Sequence, residues 1–154
     1  MTDTLETRLA ELGYTLPEPS TPAANYVPYV LNGTTLWISG QISRSPDGLI
    51  TGKLGDALDV EAGADAARTC VLQILAQAKD ACDGDLGRIN RVVKLTGFVN
   101  STPDFTDQPK VINGASDLLV ELLGDRGRHA RSAVSAASLP MGVAVEIEAV
   151  LSIE

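Results

Sequence analysis

Aromatic residues are scarce. They make up 4% of the 154 residues, so aliphatic side chains and alanine must fill the core. There is one histidine, His129, which excludes any two-histidine acid–base pair. No cysteine or second histidine stands at ligand spacing from it, and no metal site is expected. The two cysteines, Cys70 and Cys82, fall in what reads as one helix. At helical rise they are on the order of 18 Å apart, beyond the reach of a disulfide. Reduced thiols suit a cytoplasmic protein. No apolar run is long enough to span a membrane. The opening MTDTLETRLAELGY lacks the charged and apolar regions of a signal peptide, which again leads to the expectation of a cytoplasmic location.

Positive charge is scarce too. Lys and Arg number 12 against 20 Asp and Glu, for a net charge of −8. A nucleic-acid face needs clustered cations to displace counterions. The densest basic stretch, Arg126 to Arg131, is short and isolated. Neither a nucleic-acid nor a membrane partner is expected.

What is present is ordinary globular composition: 44% hydrophobic and 21% charged, in a length suited to one core. TDTLETRLAELGY reads as a short helix, with Thr2 or Asp3 as cap, Leu5, Leu9 and Leu12 on one face, and Gly13 as stop. Pro17, Pro19 and Pro22 make the next stretch an extended connector. This divides the chain into an N-terminal helix and connector (1–23) and a main domain (24–154). Residues 25 to 42 read as two strands around an Asn32-Gly33 turn. A loop follows, with turn chemistry at Pro46-Asp47-Gly48. The segment from Asp59 to Gly84 carries Val60, Ala64, Ala67, Cys70, Val71, Ile74, Leu75, Ala78 and Cys82 at helical spacing. Residues 89–100 predict a strand. Residues 102–124 predict a second helix, with Pro103 near its start and Gly124 after its end. Strands over 131–138 and 143–152 follow, joined at Leu139-Pro140. The order is β-β-α-β-α-β-β after a leading helix. It implies an α+β fold, a mixed sheet with two helices packed on one face.

The last strand alternates. Val143, Val145, Ile147, Ala149 and Leu151 point one way, and Ala144, Glu146, Glu148 and Val150 the other. Two carboxylates on a strand most often mark a solvated face. Arg131 stands among Ala130, Ser132, Ala133, Val134, Ala136 and Ala137. Small neighbours leave room around a guanidinium, which grips a carboxylate bidentately. The commoner use of an arginine is a surface ion pair. His129 could act as an acid or base, though a loop or interface histidine is the plainer reading. Gly52-Lys53-Leu54-Gly55 lacks the spacing of a phosphate loop.

At ISGQI (38–42) and ARSAVSAASLPMGVAVEIEAV (130–150), the chain resembles the Rid/YjgF family of reactive-intermediate deaminases, also known as endoribonuclease L-PSP. Its pattern is an Arg-Ser pair, a short strand, Leu-Pro, and a last strand reading Val-Glu-Ile-Glu-Ala. The resemblance covers about residues 24 to 152. It implies a chorismate-mutase-like fold and a homotrimer with ligand clefts between subunits. It further implies that Arg131 clamps a substrate carboxylate and that Glu146 places the attacking water. Ser39, Tyr26 and Asn113 correspond to the family's cleft serine, tyrosine and asparagine. Ala133 stands where deaminases usually carry a cysteine, a position the family uses more through its backbone than its thiol. His129 precedes Ala-Arg-Ser, where many members have no histidine. The implied activity is hydrolysis of enamine and imine acids such as 2-aminoacrylate to 2-keto acids and ammonia, without cofactor or metal. The alternative is a non-catalytic homotrimer that binds a small carboxylate metabolite.

Overall fold

The computed structural model describes residues 4–22 and 24–154. Helix α1 (Leu5–Glu11) is capped by Thr4, whose hydroxyl accepts from the Thr7 amide at 3.1 Å. The anticipated caps Thr2 and Asp3 lie outside the described residues. Leu5 and Leu9, one turn apart, reach the main core. Gly13, at φ +84°, lets the chain turn away.

Strands β1 (Tyr29–Asn32) and β2 (Thr35–Ile42) form the expected hairpin. Asn32 is the last paired residue, so Gly33 and Thr34 make the turn. The segment read as a loop holds a small hairpin, β3 (Arg44–Ser45) with β4 (Gly48–Leu49). Helix α2 (Val60–Ala81) starts at Asp59, whose carboxylate accepts from the Ala62 amide at 2.9 Å. Cys70 lies on the helix's buried face and Cys82 is buried at its C-cap, and the same face also holds Gln73 and Gln77, which apolar periodicity does not reveal.

Strand β5 (Ile89–Asn100) leads into α3 (Gln108–Leu123). The second helix therefore starts later than predicted, with Pro109 rather than Pro103 in its first turn. Thr102 is bound elsewhere, and a turn follows it in which the Phe105 amide donates to Thr102 O at 3.1 Å. The Thr102 amide donates to Leu54 O at 3.0 Å, and the residue before a proline disfavours helical backbone.

Strand β6 (Ala130–Ala136) and strand β7 (Val145–Ile153) complete a five-stranded sheet in the order β1-β2-β7-β5-β6. The strands joined at Leu139-Pro140 are not neighbours. The α3 crossover lays β6 parallel beside β5, and β7 inserts antiparallel between β2 and β5. There its apolar row faces the helices: Val145, Ile147, Ala149, Leu151 and Ile153 are buried, while Glu148 is exposed and Glu146 half-buried. Ala144, expected on the carboxylate side, is buried. It precedes the strand, and its amide is bonded to Ile50 O at 2.9 Å.

The chain thus has the expected α+β architecture, with α2 and α3 on one face of the mixed sheet. The other face is open. Across it run Val30, Trp37, Val150, Lys94 and Ala130 in register. Trp37 is 53% exposed and Val30 51%.

Candidate functional site

The residues singled out by sequence fall into two groups. Tyr26, Ser39 and Glu146 gather where β2 loses register against β7, between Ile38 and Gln41. This bulge places Gly40 directly under Glu146. A Cβ there would stand 2.7 Å from a Glu146 carboxylate oxygen, so only glycine lets the carboxyl group lie across the strand. Ser39 donates to Val27 O at 2.8 Å, and Gln41 donates to Ser39 O at 2.9 Å. These bonds set the bulge. Tyr26 is exposed and lines a hollow of about 330 Å³ together with Glu146 and Met141. Burial, and then the negative charge of Glu148, raise the Glu146 carboxyl above its usual range.

Asn113, His129, Arg131 and Ala133 form the second group, on α3 and the edge strand β6. The Arg131 guanidinium donates to Ser116 Oγ at 3.0 Å and to Pro109 O at 3.3 Å. Ser116 Oγ lies 2.8 Å from His129 Nε2, and His129 Nδ1 lies 2.6 Å from Gly127 O. A carbonyl can only accept, so Nδ1 carries the proton and Nε2 accepts from the serine hydroxyl. Ser116 is left with its lone pairs toward Arg131. One continuous chain of donors therefore runs from Arg131 through Ser116 and His129 to Gly127. The histidine stays neutral within it, because burial above all, and then the Arg131 charge, lower its pKa, while the Gly127 bond opposes them. No carboxylate pairs with Arg131 among the described residues. Its charge is held by neutral oxygens and remains available to a ligand.

Asn113 is exposed, one turn before Ser116. Ala133 is half-buried opposite Gly97 of β5. Sequence reasoning passed over Ser116. The signal was there, since in NGAS it stands three residues after Asn113, on the same helical face.

The two groups do not meet within one copy. Glu146 is paired with Phe98, and Phe98 with Val134. Arg131 is three residues along β6 from Val134 and faces the helices, in register with Leu95 and Ala149. At sheet spacings the Glu146 and Arg131 backbones are on the order of 14 Å apart, on opposite faces. A small acid cannot touch both. Lys53 plays a structural part, donating to Asn100 Oδ1 at 2.7 Å and to the Ala137 carbonyl. Among the described residues no cluster of His, Cys, Asp and Glu could hold a metal ion, and no helix is long and apolar enough to cross a membrane.

Residues 6–149 match the family described as "YjgF/chorismate_mutase-like, putative endoribonuclease". The chain belongs to the YjgF family. The Trypanosoma cruzi protein TCP17 is 50% identical over 147 residues, covering 94% of this chain and 91% of its own. The solved structure of Atu1372 from Agrobacterium tumefaciens, described as of unknown function, is 48% identical. The match covers 99% of this chain and 94% of that one, with a TM-score of 0.93. A Shewanella oneidensis structure described as a "putative endoribonuclease" is 35% identical, covering 98% and 100%, also with a TM-score of 0.93. RidA from an Antarctic Psychrobacter species is 29% identical, covering 88% and 94%, with a TM-score of 0.59. The YjgF fold expected from the C-terminal motif is therefore correct.

Proposed function

We propose that this YjgF-family protein is a hydrolytic deaminase of 2-imino acids, acting as a cytoplasmic homotrimer in which Arg131 of one copy completes the site around Glu146 of the next. The observation that supports this most directly is the state of Arg131. Its guanidinium is oriented by Ser116 and Pro109 but neutralised by no carboxylate, which suits it to clamp the carboxylate of a small acid. The placement of Glu146 on the other face of the sheet, away from Arg131, favours assembly of the site from two copies. The likeness to a RidA protein agrees with the chemistry.

The reaction asks little of the protein. An imine carbon is already electrophilic, so the site must orient it and deliver one water. Glu146 takes a proton from that water as its oxygen bonds to C2 and the C=N π pair moves onto nitrogen, and the carboxyl then gives that proton to the nitrogen, leaving a carbinolamine. The same carboxyl then helps move the proton needed to expel ammonia as the C–N bond breaks, leaving the 2-keto acid. A carboxyl raised above its usual range exchanges protons more evenly near neutral pH than an ordinary one. No metal or cofactor has a part in this scheme. Ribonuclease action suits the chain poorly, because 12 basic residues stand against 20 acidic ones.

The test is to generate 2-aminoacrylate in situ from serine with a pyridoxal-phosphate dehydratase and follow its loss. Wild-type protein should accelerate the loss, and Arg131→Ala should abolish the acceleration. No acceleration, with thermal protection by 2-keto acids still dependent on Arg131, would mark a carboxylate-binding trimer instead.

A further inference from the structure

The hollow beside Glu146 extends well past that residue. Its far wall is built from Gln73 of α2, Arg44 of β3, and Ser20 of the Pro-rich connector. At about 330 Å³ it lies at the small end of ligand sites, and a three-carbon acid would leave much of it empty.

Three buried glutamines lie in this region, and two of them have structural duties. Gln77 donates to Ser20 O at 2.9 Å and to Ser20 Oγ at 3.3 Å, tying down the connector. Gln41 donates to Ser39 O at 2.9 Å and accepts from Ser20 Oγ at 3.4 Å. Gln73 is only 5% exposed, yet among the described residues no hydrogen bond reaches its carboxamide. Its amide atoms are not sealed off, unlike Gln77 Oε1, which is buried with no partner; they open into the hollow that Gln73 lines, where a ligand can take their hydrogen bonds. Arg44 is similar. Its backbone amide is held by Thr69 Oγ1 at 3.1 Å, but its guanidinium makes no ion pair or hydrogen bond among the described residues. The only acidic group in the lining is Glu146.

We infer that this hollow receives the far end of the substrate, and that this end carries a second carboxylate, held by Arg44 and Gln73. A guanidinium and an amide N–H are the donors a carboxylate takes. The inference rests on the proposed function, with the first carboxylate on a neighbouring copy's Arg131. It narrows the substrate class to dicarboxylic 2-imino acids.

Calorimetric titration of the full chain with 2-oxobutanoate and with 2-oxoglutarate separates the possibilities. Wild-type protein should bind the dicarboxylate at least about tenfold more tightly, a preference worth about 1.4 kcal/mol. Arg44→Ala should bring the ratio of the two affinities close to one. Gln73→Leu should lower the ratio several-fold while the melting temperature holds or rises, which shows that the fold survives. Arg131→Ala should weaken both ligands. Equal binding of the two acids by wild type, or a preference that survives in both Arg44→Ala and Gln73→Leu, would overturn the second-carboxylate site alone. If neither acid binds, or if Arg131→Ala leaves both affinities intact, the proposed function fails and this inference with it.

Discussion

At the residue scale, the histidine matters through what it holds. His129 accepts from Ser116, and Ser116 accepts from Arg131, so both act as positioning residues for the guanidinium. Ser116→Ala removes a bond to a charged group, a change of about 1.5–3 kcal/mol in comparable cases. It should weaken 2-keto acid binding roughly tenfold and raise KM more than it lowers kcat, with partial rescue by Ser116→Thr. An unchanged KM would remove Ser116 from the site. The histidine also gives a pH signature. Its folded pKa lies below the usual 6.5, so the unfolded chain takes up the proton first. Its contribution to stability is present above pH 6.5 and lost as pH falls through the lowered value. Between pH 7.5 and 5.5 the melting temperature of His129→Asn should therefore fall less than that of wild type. Equal slopes would refute the buried neutral histidine. Glu146 has the opposite sign. Its raised pKa means that ionisation costs stability as pH rises from about 4.5 upward. Glu146→Gln should melt higher than wild type at pH 7 and gain nothing below pH 4, while losing turnover more than binding.

At the element scale, the site depends on how closely α3 approaches α2 and the sheet. Gly114, one residue past Asn113, lies against the Ala64 backbone, and a Cβ there would overlap the Ala64 carbonyl oxygen. Gly97 of β5 likewise leaves its space to Ile112. These glycines let α3 sit low enough for Ser116 and the Pro109 carbonyl to reach Arg131. Gly114→Ala should force the two helices apart at a cost of about 1–3 kcal/mol, read as a lower urea midpoint with an unchanged m-value. Wild-type stability in that variant would mean that the α2–α3 contact is looser than described. The helices and the strands of the five-stranded sheet were legible, because 3.6- and 2-residue periodicities, caps and turn glycines are local signals, whereas the two-residue strands β3 and β4 are too short to show a period. The start of α3 was not, since Thr102 is bonded to distant Leu54 rather than opening the helix.

At the scale of the whole molecule, the open sheet face explains why two carboxylates stand on a strand that otherwise reads as buried. Glu146 and Glu148 share that face with exposed Trp37 and Val30, an apolar patch suited to contact with another copy. In the proposed trimer, Trp37→Asp should disperse the assembly, reducing the mass measured by light scattering to that of one chain, and activity should be lost with it. Mixing offers a sharper check. Arg131→Ala and Glu146→Gln should each be inactive alone. After unfolding and refolding together they should regain about a quarter of wild-type activity, because some sites draw both intact residues from different copies. No recovery would mean that both residues serve one site within a single copy.

The sequence by itself determined the family, the element types and the small set of residues worth testing, because the C-terminal motif and the hydrophobic periods are written in neighbouring positions. The tertiary structure decided which of those residues share a site. Arg131 and Glu146 are only fifteen positions apart in sequence, yet β5 separates their strands and the pleat turns them to opposite faces. Ser116, Gln73 and Arg44 acquire their chemistry only from contacts, and from a missing contact, between segments far apart in the chain. Periodicity reports which side of an element is buried, but only packing decides what a buried polar group meets there.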